Sequence, residues 1–499
     1  MRRTSVARRV VVIAAVCGMT ASLRAQCPDG TPPPCAAAVA HPAPNSIAVL
    51  TFENTTHDSS AQYLAEGLAD QILTRLGGVG RLTVVSRTVV RRLRNVDQLS
   101  VQQIGRALNA AYLVNGTIRA AGGRVRVSVE ALRAASGEAI WSQTFDRSAD
   151  SLLGIEEAVA TEVAAGVAGR LSPQERRALG SRVTSNSRAY EQFLRGNVLM
   201  ARRTRASLQA AIEAYRAATA DSWFADAFAR LSYAYDLCVK WGCGDVDSLL
   251  ALARRATARA LRLNPRSSDA WMARAYTAYL WSEHTTRTDD DDSVLASLAA
   301  FRRAVELNPR NDEAWHQFGG TLSFVSDSAS IDALRRALAL DPARAISYHD
   351  LSSVYALTGR MDRALELIDS AFALDPDGPY HTMRAIARLA AGDTAGAVAD
   401  ARSAPGSFAP VLAAFARDSA SIRLMESVVA AHEFCSSGAE YLLWIGRGEE
   451  AVQRLIQCRP SIWTRFVLRQ PALAPLADDP RIRALRAASD SVLARARWQ

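Results

Sequence analysis

The sequence contains almost no lysine and none of the motifs by which common enzyme active sites are recognised. Lys240 is the only lysine among 59 basic residues. There is no G-x-S-x-G, no H-E-x-x-H, no phosphate-binding loop ending in G-K-[ST] and no protein-kinase signature. The histidines lie far from one another in the sequence, and adjacent carboxylates such as Glu156 and Glu157 point to different sides of a helix. We therefore expect no enzymatic activity, no metal site and no cofactor.

Long apolar runs are scarce, and the one candidate lies at the N-terminus. Four arginines precede an apolar run that begins at Val10, and residues 23–25 end in a small residue, a pattern typical of a signal peptide. Gly18 and Thr20 interrupt the run, which is shorter than the roughly 20 residues of a spanning helix. We predict removal of residues 1–25 and a periplasmic or secreted protein. An uncleaved anchor and a lipoprotein attached at Cys27 are the alternatives.

The positive charge of the sequence comes mainly from this N-terminal segment. Without residues 1–25, which carry five arginines and no acidic residue, the net charge falls from +9 to +4. The basic clusters at residues 91–94 and 202–205 lie within helical patterns, which indicates solvated helix faces. The sequence therefore disfavours a nucleic-acid partner.

Cysteine is sparse and falls into close pairs. Apart from Cys17 in the predicted signal peptide, six cysteines follow one another as Cys27 with Cys35, Cys238 with Cys243, and Cys435 with Cys458. An even number of locally paired cysteines in an exported chain favours three disulfides. Zinc is the alternative, but no histidine lies at finger spacing beside any pair. The sequence does not prove the connectivity.

The first third of the mature chain has the pattern of an α+β domain. Residues 26–45 are rich in proline and alanine and predict a linker, and residues 46–172 predict the domain. We expect strands at 47–52 and 82–86, helices at 59–76 and 101–108, a three-stranded meander at 111–119, 125–132 and 139–145, and a closing helix at 152–171. The strict alternation of residues 124–129 predicts one buried and one solvated face.

Five short blocks of this domain carry a family resemblance. They are residues 46–54 (SIAVLTFEN), 66–68 (EGL), 85–87 (VSR), 112–116 (YLVNG) and 137–142 (GEAIWS). Together they resemble the TolB amino-terminal/FlgO-like domain, which often precedes tetratricopeptide (TPR) repeats, sometimes behind a kinase or a winged-helix regulator. In this sequence an export signal precedes it instead. The resemblance therefore implies a fold, without a signalling role or catalytic residues.

The second half contains a repeated helix-ending motif. Leu-Asn-Pro or Leu-Asp-Pro occurs at residues 263–265, 307–309, 340–342 and 374–376, and the last two intervals are 33 and 34 residues. This is the TPR period, and proline ends each second helix because it cannot continue one. The sequence predicts an all-α, right-handed TPR-type solenoid at 187–405, followed by degenerate repeats and a helical cap at 406–499. In the hairpin before Pro376, Ser352 replaces the usual glycine.

A stack of such hairpins presents a concave surface formed mainly by the first helix of each pair. The register places eight residues on it: Tyr233, Asp236, Tyr276, Tyr279, His316, Gln317, His349 and Asp350. Tyrosine and mixed polar groups suit recognition of an extended peptide or a partner helix. In the alternative interpretation, Tyr276 and Tyr279 belong to the core between repeats.

These patterns together predict an exported, non-enzymatic scaffold that binds protein or peptide partners. The alternative is an envelope ligand sensor whose α+β domain binds a small molecule or glycan and signals through the repeats. An envelope hydrolase would need a nucleophile and base that the sequence does not offer. The four adjacent aspartates at residues 289–292 are interpreted as a solvated loop, because they lack the alternate spacing and glycine of a calcium loop.

Overall fold

The structure is a computed structural model that describes residues 42–499 apart from 57–58, 94–95, 123, 149–153, 181–183, 285–290, 377, 379, 404–411, 432–434 and 496–499. The predicted signal peptide and most of the predicted linker lie outside the described residues, as do Cys27 and Cys35.

The first strands of the chain form a mixed sheet. The strands are β1 (Ser46–Val49), β2 (Glu53–Asn54), β3 (Thr83–Val84), β4 (Tyr112–Ala121), β5 (Arg124–Arg133) and β6 (Ala139–Ser148). Their order is β3-β1-β4-β5-β6, and β2 also pairs with β4. Strand β1 runs parallel to β3 and β4, whereas β4, β5 and β6 form the predicted antiparallel meander. The single strand predicted at 47–52 is replaced by β1 and β2.

Helices cover both faces of this sheet. They are α1 (Ser59–Gly77), α2 (Arg87–Arg92), α3 (Val101–Ala107), α4 (Ile155–Ala168) and α5 (Pro173–Leu179). Ile47 and Val49 belong to the core that α1 and α4 share with one face, and Ala48 and Leu50 to the core on the opposite face. Successive side chains of a strand alternate between faces, so burial on both sides explains why this run is continuously apolar.

Antiparallel helical hairpins follow, as predicted. Their helices are α6 (Ser187–Ala201), α7 (Arg205–Ala218), α8 (Ala225–Lys240), α9 (Val246–Leu263), α10 (Ser268–His284), α11 (Asp291–Leu307), α12 (Asp312–Leu322), α13 (Asp327–Leu340), α14 (Ala345–Leu357), α15 (Met361–Leu374), α16 (His381–Ala390) and α17 (Thr394–Ser403). We number the hairpins one to six, from α6/α7 to α16/α17. The structure confirms an α+β domain followed by a TPR-type helical solenoid.

One hydrogen bond recurs in three successive hairpins. The indole Nε1 of Trp271 donates to the carbonyl of Pro265 at 2.8 Å, and Trp315 donates likewise to Pro309 at 3.0 Å. In the next hairpin the Tyr348 hydroxyl donates to a proline carbonyl at 3.2 Å. An aromatic residue at the same position of each first helix thus ties down the loop that carries the repeated proline.

The two helices of a hairpin cross most closely at a glycine or a serine. A Cβ atom at Gly319 would lie 2.6 Å from Cγ of Leu334, so only glycine fits there without movement. At the equivalent position of hairpin five, Ser352 donates its hydroxyl hydrogen to the Ala364 carbonyl at 2.7 Å. Serine at this position therefore replaces close backbone approach with a hydrogen bond across the hairpin.

The remaining chain continues as shorter helices. A π-helical turn at Leu412–Ala416 precedes α18 (Ser419–Ala431), α19 (Cys435–Trp444), α20 (Gly448–Leu455), α21 (Ile462–Val467), a 3₁₀ helix at Pro471–Leu476 and α22 (Pro480–Arg495). Leu442, Leu455, Leu468 and Ile482 form their common core. Among the described residues, no helix combines the length and the apolarity needed to cross a bilayer.

The α+β domain packs directly on the hairpins, and Ala43–Gln499 form one compact unit. Arg310 in the loop between α11 and α12 donates to the carbonyls of Gly77 and Leu82, at 3.1 and 2.7 Å. Asp341 accepts hydrogen bonds from Ser86 and Thr88, both at 2.8 Å. The repeated loops therefore attach the domain together with α1, whose Gly67 lies against Leu194 of α6.

Two of the predicted disulfide cysteines are free thiols. Cys238 lies buried near the end of α8, and Cys243 lies in the turn that follows, where its backbone N–H donates to the Cys238 carbonyl at 2.9 Å. The structure thus lacks the bridge predicted between them: the two side chains are neighbours that meet as thiols through a hydrogen bond. Burial raises the pKa of the Cys238 thiol. Cys458 is disulfide-bonded, and the side chain of Cys435, its predicted partner, lies outside the described residues.

Candidate protein-binding surface

The eight residues predicted for the concave surface divide equally by exposure. Tyr233, Asp236, Tyr276 and His316 are buried, with at most 6% of their surface accessible. Tyr279, Gln317, His349 and Asp350 are half-buried. Only this second group can contact a partner without rearrangement, and the burial of Tyr276 agrees with its alternative assignment to the core between repeats.

A network of charged groups around Glu313 crosses the concave side. The carboxylate of Glu313 lies 3.0 Å from Nη2 of Arg203 and 2.8 Å from Nη1 of Arg344. The Tyr233 hydroxyl also donates to it, and Gln317 donates to both Tyr233 and Glu313 at 3.1 and 3.2 Å. Arg203 belongs to hairpin one and Glu313 to hairpin four. The hairpins of a solenoid ordinarily contact only their neighbours, so this network closes the concave side.

The electrostatics of the network favour its charged form. Burial by itself raises the pKa of Glu313, but Arg203 and Arg344 outweigh burial and hold this pKa well below its usual value. Burial conversely lowers the pKa of Arg203, and the carboxylate of Glu313 raises it above the usual value for arginine. The Arg203 side chain remains 32% exposed, so it offers a cation held in place on the concave surface, which we also call the groove.

A second polar group joins hairpins four and five. Asp350 lies 2.9 Å from Nδ1 of His349 and 3.6 Å from Nδ1 of His316, and Ser347 lies 3.1 Å from that same nitrogen of His316. Burial lowers the pKa of His316, although Asp350 opposes the effect. A serine–histidine–aspartate relay needs the serine and the aspartate on opposite ring nitrogens, so this arrangement is not such a relay.

An aromatic patch lies farther along the same side. The Tyr279 ring is 6.0 Å from those of Tyr276 and Phe324, and Nζ of Lys240 lies 5.7 Å from its centroid. Trp463 from the C-terminal region packs on this patch, at 4.5 Å from Phe324 and 6.3 Å from Tyr279. Part of the concave side is therefore already covered by the chain itself.

The sequence-based selection missed Arg203, Glu313, Arg344 and Phe324. The basic pattern of residues 202–205 indicates a solvated face, whereas Arg203 within it pairs with Glu313. Glu313 occupies the second position of a first helix, one turn before His316, so extending the register by one turn would have found it. Nothing local in the sequence indicates that Trp463 returns to hairpins three and four.

One family profile matches the N-terminal domain. The profile described as HilA/YgeH-like transcriptional regulator, second domain, matches residues 43–161. The match spans the sheet and reaches into α4, which is less than half of the chain. The resemblance to the TolB amino-terminal/FlgO-like domain stays a prediction.

A curated relative contradicts one expectation. The protein named "Putative adenylate cyclase 3" of Rhizobium meliloti (strain 1021) is 26% identical over 221 residues, which are 43% of this chain and 38% of the relative. The chain thus spans less than two fifths of that relative's length. This similarity contradicts the expectation that the chain has no enzymatic activity. That expectation rested on motifs of hydrolases, metallopeptidases, P-loop proteins and kinases, none of which describes a cyclase.

Several solved structures resemble the hairpins. TTC0263, a thermophilic TPR protein of Thermus thermophilus, is 19% identical with a TM-score of 0.34 and covers 41% of this chain and 98% of its own. YrrB, described as a TPR protein with an unusual peptide-binding site, is 22% identical with a TM-score of 0.27 and covers 40% and 92%. A TPR protein of Parabacteroides merdae ATCC 43184 is 12% identical with a TM-score of 0.31 and covers 61% and 100%.

Proposed function

We propose that the protein is an exported scaffold that holds a protein or peptide partner on the concave side of its hairpins. The proposal joins the signal-peptide pattern of residues 1–25 with the composition of the surface formed by the first helices. That surface carries ion-paired side chains and the half-buried ring of Tyr279, which together support hydrogen bonding and apolar burial.

The observation that carries the proposal is the presence of a peptide-sized segment on this surface. Trp463 and Phe466 lie 4.5 and 4.4 Å from Phe324, so the groove already accommodates side chains of the size that a partner would insert. Buried aromatic anchors surrounded by polar groups are the usual centre of a protein interface.

The groove also presents partly exposed charges of both signs. Lys240 pairs with Glu283 at 2.8 Å, and these side chains remain 33% and 29% exposed. Asp350 keeps 27% of its side chain accessible. Such pairs are held in place before a partner arrives, so little side-chain entropy is lost when the partner binds.

The test is recovery of a defined complex with half-buried groove residues changed. We expect the mature protein to retain one partner from envelope extract through size exclusion, and Gln317→Ala, His349→Ala and Asp350→Ala together to reduce that recovery at least tenfold. The matched control is Trp223→Ala, because Trp223 is 77% exposed and lies outside the groove. Equal recovery by the triple variant and the wild type would contradict the groove assignment.

The similarity to the cyclase-named relative favours a second candidate, formation of cyclic AMP from ATP. Its test is incubation of the full chain with ATP and Mg²⁺ or Mn²⁺, with cyclic AMP measured by mass spectrometry. Product that scales with protein concentration would support this candidate. Absence of product would contradict it.

A further inference from the structure

Residues 459–469, which we call the docked segment, lie on the aromatic patch of hairpins three and four. The segment contains the short helix α21, and Trp463 and Phe466 are three positions apart on it. Both rings pack on Phe324, and Trp463 also stacks on Tyr279. The segment therefore presents one aromatic face to the groove, in the way that a partner helix presents its anchor residues.

Polar contacts fix the orientation of the docked segment. The N–H of Ile462 donates to Oδ1 of Asp291 at 2.9 Å, where α11 begins. Arg465 donates to the carbonyl of Phe324 at 2.9 Å. Arg469 donates to the carbonyl of Ser323 at 3.1 Å and to the carboxylate of Asp327. The two arginines therefore satisfy carbonyls at the end of α12, where the helix dipole favours cations.

The fit of the docked segment is incomplete. Among the described residues, the indole Nε1 of Trp463 is buried without a hydrogen-bond partner. An unpaired buried donor weakens binding, because the lost hydrogen bond to water is not replaced. A partner that offers an acceptor at this point, or an anchor without a polar atom, would bind the same patch more tightly than the segment does.

We propose that the docked segment is an internal ligand, and that the partner displaces it with a helical turn of the same chemistry. Such a turn carries aromatic residues at a first position and three positions later, with arginine two and six positions after the first aromatic residue. Ile462 is buried in the hairpin core and Leu468 in the core of the C-terminal helices, so these two residues remain as anchors while Trp463 and Phe466 between them leave the patch. This inference rests on the proposed scaffold function and adds to it the chemical class of the partner.

The choice of partner follows from what the patch offers. The carbonyls of Ser323 and Phe324 and the carboxylate of Asp327 accept from arginines, which selects a cationic ligand. The carboxylate of Asp291 accepts from a backbone N–H at the start of the turn. The apolar component of the patch is Tyr279 and Phe324, which select flat rings. The same groups would bind an acidic or purely aliphatic peptide poorly, because the buried acceptors would remain unpaired.

The first experiment uses a fluorescein-labelled peptide with the sequence of residues 459–470, RPSIWTRFVLRQ, and the full chain. We expect Trp463→Ala with Phe466→Ala to loosen the docked segment and to tighten peptide binding at least tenfold over the wild type. Adding Phe324→Ala should abolish this gain. The matched control is Phe415→Ala with Trp444→Ala, which removes another C-terminal aromatic pair, 5.6 Å apart, that lies away from the patch. That control should bind the peptide as weakly as the wild type.

The second experiment needs no variant and therefore does not depend on whether the double variant folds. Hydrogen exchange of the wild-type chain should show the amides of α21 exchanging at least a hundredfold faster than those of α10 and α12. Equal protection would mean that the segment opens only with global unfolding, and would overturn the proposal. A swapped dimer in which the segment docks on a second copy, detected by concentration-dependent sedimentation, would also overturn it.

The outcome also separates this inference from the scaffold function. Partner recovery that depends on Gln317, His349 and Asp350, combined with no peptide binding to the loosened variant, would reject the internal ligand and leave the scaffold standing. If the triple variant recovers the partner as well as the wild type does and the loosened variant binds no peptide, both the scaffold function and the internal ligand are rejected.

Discussion

Nη1 of Arg344 lies 2.8 Å from the carboxylate of Glu313, on the neighbouring hairpin. Arg203 contacts the same carboxylate from hairpin one at 3.0 Å. A single acidic residue thus holds two arginines that are 141 positions apart in the sequence. Arg344 keeps Asp312 as a second partner, whereas removal of the Glu313 carboxylate would take from Arg203 the carboxylate that it contacts in a largely enclosed space. The free energy of unfolding should therefore depend on Glu313.

We expect Glu313→Gln to lower the free energy of unfolding by about 2 kcal/mol at pH 7, allowing for partial exposure of Arg203. The arginines hold the pKa of Glu313 well below its usual 4.5, so the stabilisation is fully present above that pH and is lost as the pH falls below it. Urea unfolding at pH 7 and pH 3.5 should therefore show a smaller acid effect in the variant. The control is Glu306→Gln on an exposed pair, where a change above about 0.5 kcal/mol would be unexpected.

Alanine substitutions at two adjacent glycines of α12 should have different effects on the free energy of unfolding. Gly319→Ala places a Cβ 2.6 Å from Leu334 and is expected to cost about 1 to 3 kcal/mol. At Gly320 the nearest atom is Oδ2 of Asp350 at 3.4 Å, so Gly320→Ala should be neutral or stabilising by up to about 1 kcal/mol. Chemical denaturation measures both. Equal effects would show that the hairpin is not tightest at Gly319.

Asp236 gives an opposite pH dependence. Burial raises the pKa of this carboxyl well above its usual 3.8, although the hydrogen bond from Thr277 opposes the shift. The folded state therefore binds the proton more tightly, and its stability decreases as the pH rises above that value. Asp236→Asn should be more stable than the wild type at pH 8, by about 1.4 kcal/mol per unit of raised pKa, and similar at pH 4. Melting temperatures test this, with exposed Asp247→Asn as the control. An Asp236→Asn variant that is no more stable than the wild type at pH 8 would contradict the raised pKa of Asp236.

The attachment of the α+β domain should depend on Asp341. Replacing Asp341 by alanine removes the acceptor for Ser86 and Thr88, and is expected to cost about 2 kcal/mol and to separate the melting of the domain from that of the hairpins. Calorimetry shows this as a second transition. Asp375 occupies the equivalent place in the next hairpin and accepts from Tyr380 at 2.9 Å. Asp375→Ala should retain a single transition, and two transitions there would count against a specific role for Asp341.

The local elements could be predicted closely from the sequence. The helix expected at 59–76 is observed at Ser59–Gly77, and that expected at 101–108 at Val101–Ala107. Their apolar spacing and turn residues are properties of a few consecutive residues. The same holds for the hairpins, because each repeated proline acts on its own helix end. Helix α2 escaped prediction because, at six residues, it is too short for a periodic pattern to appear.

The concave surface could be predicted only in part. The helical register predicts Gln317 and Asp350 on that surface, and both side chains are half-buried. It could not show that Tyr233 and His316 are covered, because their burial results from the curl of the whole stack. The meeting of Arg203 with Glu313 and of Trp463 with Phe324 likewise depends on small rotations added over several hairpins, which leave no local signature.

The contact between Arg203 and Glu313 also changes how the protein would carry load. An open solenoid extends elastically, because force applied at its ends rotates each hairpin only slightly against the next. Here the ion pair between Arg203 and Glu313 joins hairpins one and four, so tension must break this ion pair before those hairpins can separate. Elastic extension therefore falls on the hairpins after α13, and the first four respond as a rigid block.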